Sequence, residues 1–95
     1  MVEVARKELL AWTDTNIDTV PETCGVYILR SAGQSIGYIG MAGAKRLRAR
    51  LKEHKSLNDY PKTRYFDWFQ HDSEASARAA EQELIAMFNP PWNKQ

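Results

Sequence analysis

At 95 residues, with 43% hydrophobic and 26% charged positions, the chain is long enough for one core and too short for two. Its apolar runs are only a few residues long, which excludes a bilayer span, and the N-terminal Met1–Glu8 stretch lacks the apolar block of a secretory signal. The expectation is a cytoplasmic protein without membrane contact. The single cysteine, Cys24, excludes an internal disulfide and a thiolate metal cage, and reads as a packing residue.

Val2 to Trp12 reads as a short helix, part of an N-terminal helical extension over residues 1–20. A polar connector follows. Gly25–Arg30, β-branched and aromatic, is a strand, and the five residues Ser31–Ser35 suit a hairpin into a second strand, Ile36–Gly40. Ala44 to about Ser56 forms a basic helix with Leu47 and Leu51 inward. Arg64–His71 is a third, aromatic strand. Ser73 is an N-cap for a helix from Glu74 to about Phe88, which Asn89-Pro90-Pro91 ends, laying the tail back over the domain. This order predicts an α+β domain over residues 1–95: a three-stranded, mostly antiparallel sheet flanked by helices.

The formal net charge of +1 hides an asymmetry. Residues 44–64 carry eight of the thirteen Lys and Arg (Lys45, Arg46, Arg48, Arg50, Lys52, Lys55, Lys62, Arg64) against only Glu53 and Asp59. Such a block is either the footprint of a polyanion, with Lys45, Arg46, Arg48, Lys52 and Lys55 as nucleic-acid contacts, or a solvated helix face.

Two helices break their own pattern. On the last one, Glu81 falls between Phe88 and Ile85 on the arc that also holds Ala77, Ala80, Leu84 and Met87. A carboxylate there either pairs with an arginine, sits at the edge of the face, or binds a metal. On the basic helix, Arg50 and His54 lie one turn apart beside the Leu47–Leu51 face. They suit a phosphate grip and a proton carrier, or a boundary histidine bonded to backbone.

The series Gly25-Val26-Tyr27, Tyr38-Ile39-Gly40, Arg50, His54, Glu81 and Asn93 closely resembles the GIY-YIG nuclease superfamily over roughly residues 20 to 93. That superfamily includes homing endonucleases, excision-repair incision subunits, resolvases and restriction enzymes. The resemblance implies a DNA endonuclease that leaves 5′-phosphate and 3′-hydroxyl ends. Tyr27 and Tyr38 become the motif tyrosines, one of them positioning or deprotonating the attacking water, and Tyr27 with His54 as partner is the favoured choice. Arg50 becomes the residue stabilising the pentavalent phosphate, and His54 a proton handler. Glu81 becomes the sole protein ligand of Mg²⁺ or Mn²⁺, and Asn93 the brace of the site. Gly25 and Gly40 are structural, Gly40 allowing a tight turn out of its strand. Many members carry Lys or Ser after the second motif. Met41 stands there in this chain, so no further phosphate contact is expected from that loop.

A single carboxylate suffices for Mg²⁺, which keeps most of its waters. The substrate class implied is DNA, branched or damaged DNA included, with selectivity supplied by a partner protein or a homodimer. Two other readings stand beside this one: a non-catalytic nucleic-acid-binding module of the same fold, and an interaction domain in which Glu81 pairs with Arg50.

Overall fold

The computed structural model describes residues 9–93. In chain order its elements are β1 (Leu10–Ala11), α1 (Asp14–Ile17), β2 (Gly25–Arg30), β3 (Ile36–Ala42), α2 (Leu47–Leu57), β4 (Tyr65–Gln70), α3 (Glu74–Phe88) and a 3₁₀ turn at Pro91–Asn93. The sheet is antiparallel throughout, in the order β1-β4-β2-β3. It has four strands rather than the three expected. The extra one lies where the sequence suggested a helix: Leu10 and Ala11 pair with Phe66 and Tyr65, and Trp12 packs edge-on against Phe66 at 5.4 Å. The rest of that expected helix falls outside the described residues. A two-residue strand has no periodicity of its own, so its conformation is decided by the neighbour it pairs with.

The β2–β3 hairpin forms as its loop chemistry requires. The Ser31 amide donates to the Ser35 carbonyl at 3.0 Å, with Gln34 at φ 70°. Ser73 caps α3 by accepting from the Ser76 amide at 3.1 Å. Both long helices end on an asparagine in the left-handed region: Asn58 at φ 53° after α2, and Asn89 at φ 47° after α3.

Strand alternation divides the core between two faces. Tyr27, Leu29, Ala42 and Phe66 face α1 and α2 and meet Ile17, Val20, Leu47 and Leu51. Val26, Ile28 and Ile39 face α3 and meet Ala77, with Ala80, Leu84 and Ile85 half-buried beside them. The last turn of α3 departs from the apolar arc read in the sequence: Met87 is 68% and Phe88 48% exposed. Periodicity gives a side chain's direction about the helix axis but not how far the sheet beneath it extends.

The motif glycines answer to close approach rather than to dihedral freedom. No glycine among the described residues has positive φ, and Gly40 lies inside β3, not at a turn out of it. A Cβ on Gly40 would stand 2.6 Å from the Tyr27 ring and hydroxyl, and one on Gly25 would strike the Phe69 carbonyl of β4. Cys24 is buried, its thiol donating to the His71 carbonyl at 3.1 Å, in keeping with a packing role.

Candidate active site

The α2 face of the sheet gathers four of the residues singled out in the sequence. Tyr27 leaves the middle of β2 toward α2, and Tyr38 leaves β3 on the same side, with ring centroids 6.2 Å apart. From α2, His54 comes within 5.4 Å of the Tyr27 ring and 5.6 Å of Tyr38. The Tyr27 hydroxyl lies 2.7 Å from His54 Nε2. His54 is 5% exposed and is bonded to side chains, not to backbone as one reading of the sequence allowed. Burial pushes its pKa below the ordinary 6.5 while the Asp59 carboxylate pulls it back up, so the neutral imidazole is favoured.

Arg50, one turn earlier on α2, lies near enough for its positive charge to act on the Tyr27 phenol. Its Nη1 also donates to Glu53 at 2.7 Å, and the second Glu53 oxygen accepts from Arg46 at 2.6 Å. The pairing of Arg50 with Glu81 allowed by the sequence therefore does not form. Tyr27 has no exposed surface, and burial above all holds its phenol protonated, far above the usual tyrosine range. Tyr38 is half-buried and Arg50 about a third exposed, so these two present the cluster to solvent.

Three further residues complete the cluster without having been read from the sequence. Asp59, just past the left-handed turn at Asn58, places its two oxygens 3.1 and 3.2 Å from His54 Nδ1. Tyr60 stacks on Tyr38 at 4.4 Å with 27° between the planes, and burial pushes its pKa up to about 12. Trp92 lies parallel to Tyr60 at 6.1 Å and flat over Gly37, where no Cβ could fit. A cavity of about 460 Å³ opens beside them, lined by Asp59, Tyr60, Pro61, Lys62, Pro91 and Trp92. In the sequence Asp59 and Tyr60 read only as loop residues between Asn58 and Pro61.

Asn93 sits at the free edge of β3. Its side-chain amide accepts from the Ile39 N–H at 2.8 Å and donates to the Ile39 carbonyl at 2.9 Å, as a neighbouring strand would. This seats the tail, and with it Trp92, against the strand that carries Tyr38.

Glu81 stands apart from this cluster. It is half-buried on α3, on the other face of the sheet, and no hydrogen bond or ion pair joins it to Tyr27, Tyr38, Arg50 or His54 among the described residues. Burial raises its pKa and Arg78 partly lowers it. Both faces are reached from β3, an edge strand, whose Tyr38 turns toward α2 and whose Ile39 turns toward α3. Among the described residues no three His, Cys, Asp or Glu side chains converge on a metal position. One desolvated carboxylate, without a hydrogen-bonded partner among the described residues, fits a hydrated Mg²⁺ or Mn²⁺.

The basic block resolves into two kinds of residue. Arg48 Nε donates to the Val20 carbonyl at 2.7 Å, and Lys52 pairs with Asp18, so both tie α2 to the α1 segment. Arg46 is held by Glu53. Lys45, in the turn before α2, and Lys55 make no ion pair among the described residues.

The GIY-YIG catalytic domain model matches residues 23–95. The chain is 29% identical over 99 residues to UvrABC system protein C of Rickettsia akari, which covers 97% of this chain and 14% of that protein. It is 33% identical over 86 residues to the protein of the same name from Methanosphaera stadtmanae, covering 80% of this chain and 14% of that protein. The chain therefore spans about a seventh of the length of these relatives. Among solved structures it is similar to the GIY-YIG N-terminal endonuclease domain of UvrC from Thermotoga maritima bound to magnesium as its catalytic divalent cation. The TM-score is 0.70 at 30% identity, covering 84% of this chain and 93% of that one. A point mutant of the same domain gives a TM-score of 0.73 at 27% identity, with 84% and 93% covered.

Proposed function

The chain belongs to the GIY-YIG catalytic domain family, and from that premise we propose that it is a metal-dependent DNA endonuclease. The observation that carries the reading is the convergence of Tyr27, Tyr38, His54 and Arg50 from three different elements on one half-open cluster. Buried tyrosines and a lone histidine are ordinary core components. A partly exposed arginine held against a buried phenol is suited to a phosphodiester.

The role of each residue follows from its exposure. Arg50 donates to the phosphoryl oxygens and stabilises the charge that grows on them in the transition state. Tyr38, not the fully buried Tyr27, is placed to touch the attacking water. Tyr27 instead backs the cluster from the core, its hydroxyl bonded to His54 and its phenol near the Arg50 charge. Glu81 would hold Mg²⁺ or Mn²⁺, a cation that, when bound, would supply charge neutralisation at the scissile phosphate. Asn93 caps the β3 edge and keeps it closed to other strands. Lys45 and Lys55 neutralise flanking phosphates. The products carry 5′-phosphate and 3′-hydroxyl ends.

Substrate selectivity, for branched or damaged DNA, comes from a partner protein, a second copy, or further domains such as those the longer UvrABC relatives have room for. Incubation of supercoiled, branched and single-stranded DNA with and without Mg²⁺ or Mn²⁺ tests the function. Cation-dependent nicking is expected. DNA binding without cleavage of any substrate would instead support the binding-module reading.

A further inference from the structure

The neutral imidazole has one N–H and one lone pair, and which nitrogen carries the hydrogen depends on what each faces. His54 Nδ1 faces the two carboxylate oxygens of Asp59 at 3.1 and 3.2 Å, and Nε2 faces the Tyr27 hydroxyl at 2.7 Å. A carboxylate only accepts, so Nδ1 must donate. Nε2 is then an acceptor, and the Tyr27 O–H points into it. With its hydrogen committed, the Tyr27 oxygen keeps lone pairs that the nearby positive charge of Arg50, a donor only, favours.

The opposite tautomer breaks the chain. An Nε2–H would take a lone pair of the Tyr27 oxygen and turn the phenolic hydrogen toward Arg50, setting donor against donor. We propose that Asp59 is a positioning residue that fixes the His54 tautomer and thereby sets the direction of the hydrogen-bond chain Asp59–His54–Tyr27, so that the Tyr27 oxygen keeps its free lone pairs for the Arg50 guanidinium that receives phosphate.

Local structure supports the assignment. The left-handed turn at Asn58 ends α2 and brings Asp59, five residues after His54, back against the imidazole. The groups that face His54 are Asp59, Arg50, Glu53, Tyr27, Tyr38 and Tyr60. Among them only Asp59 touches Nδ1. The link from this chain to cleavage rests on the nuclease reading above; the tautomer does not.

Long-range ¹H–¹⁵N correlation spectra of the ¹⁵N-labelled protein report the tautomer directly, with His71 as internal reference. At pH 7.5 the wild type is expected to show His54 with Nδ1 protonated and Nε2 bare. Asp59→Ala is expected to lose that preference and to lower kcat on the best DNA substrate by roughly 10–100-fold, the range typical of outer-shell orienting groups, with KM changed by less than about twofold. If Asp59→Ala does not fold, Asp59→Asn serves, because an amide turned to donate to Nδ1 favours the opposite tautomer. An Nε2–H tautomer in the wild type overturns the proposal. So does an unchanged tautomer in the folded variant, or a shifted tautomer with unchanged kcat. Absence of cleavage by the wild type would count against the nuclease reading alone and leave the spectra to decide the tautomer.

Discussion

The two faces of the sheet are built on different terms. Toward α2, large side chains are fully buried and the polar groups among them are hydrogen-bonded to one another: Tyr27 to His54, His54 to Asp59, Arg50 to Glu53. Toward α3, the helix contributes a single buried residue, Ala77, and its carboxylate, Glu81, is half-buried with no hydrogen-bonded partner among the described residues. A polar group in a packed interior has to be satisfied by the protein itself. One at a thin margin can be left for a cation and its waters. The α2 face therefore supplies preorganised geometry, and the α3 face supplies one charge.

This contrast predicts that the largest losses of activity come from both faces but differ in structural cost. Glu81→Ala is expected to reduce cleavage by about 10³-fold or more while leaving folding stability unchanged or raised, since it removes a desolvated carboxylate. Arg50→Ala should lose about 10²–10³-fold in kcat, and Arg50→Lys should not restore it, because an ammonium cannot span Tyr27 and a phosphate as the planar fork does. Single-turnover rates together with urea midpoints check both. A Glu81→Ala protein that cleaves normally would dissolve the division of labour.

In stability the order is reversed. Leu51, fully buried against α1 and the sheet, should cost about 3 kcal/mol when cut to alanine, and Leu84, half-buried on α3, about 1–2 kcal/mol. Equal midpoints for the two variants would mean that the two faces contribute alike.

The pH dependence of stability isolates the α2 cluster further. The pKa of His54 is depressed on folding. The stability from keeping its imidazole neutral is thus complete above about pH 6.5 and is lost as pH falls through the folded value, by at most about 1.4 kcal/mol per unit of depression. Between pH 7.5 and 5.5 the urea midpoint of the wild type should fall. That of His54→Gln should fall less, and that of Asp59→Ala more, since Asp59 pulls the pKa back up. The smallest effect belongs to the open surface: Lys45→Ala should weaken DNA binding evenly across sequences and lower the salt slope by about one. Arg48→Ala, which frees the Val20 carbonyl, should act on the urea midpoint first.

Much of the fold is local chemistry and was legible as such. β2, its hairpin loop, β3 and the Ser73-capped helix follow from alternation, a Gly-containing connection and an N-cap, all carried within a few residues. Glu81, Arg50 and His54 stood out because each is polar where its helix should be apolar. β1 was not legible, since a pairing of two residues leaves no pattern, and neither was the exposure of Met87 and Phe88. Asp59 and Tyr60 read as an ordinary loop, for their roles depend on where the turn at Asn58 sends them. Glu53, an unremarkable helix surface residue by sequence, turns out to hold both Arg46 and Arg50.

By itself, then, the sequence determined the longer elements, the family and the residue types available for phosphodiester chemistry, because propensity, capping and spacing act over short stretches of chain. The tertiary structure alone decided how Glu81 relates to the rest: it lies on the opposite face of the sheet from the tyrosines. It also decided that Tyr27 is a buried support while Tyr38 meets solvent, although both are motif tyrosines on paired strands. Side-chain direction in a strand is a local property. Burial is set by what packs above it, and α2, Tyr60 and Trp92 arrive there from distant parts of the chain.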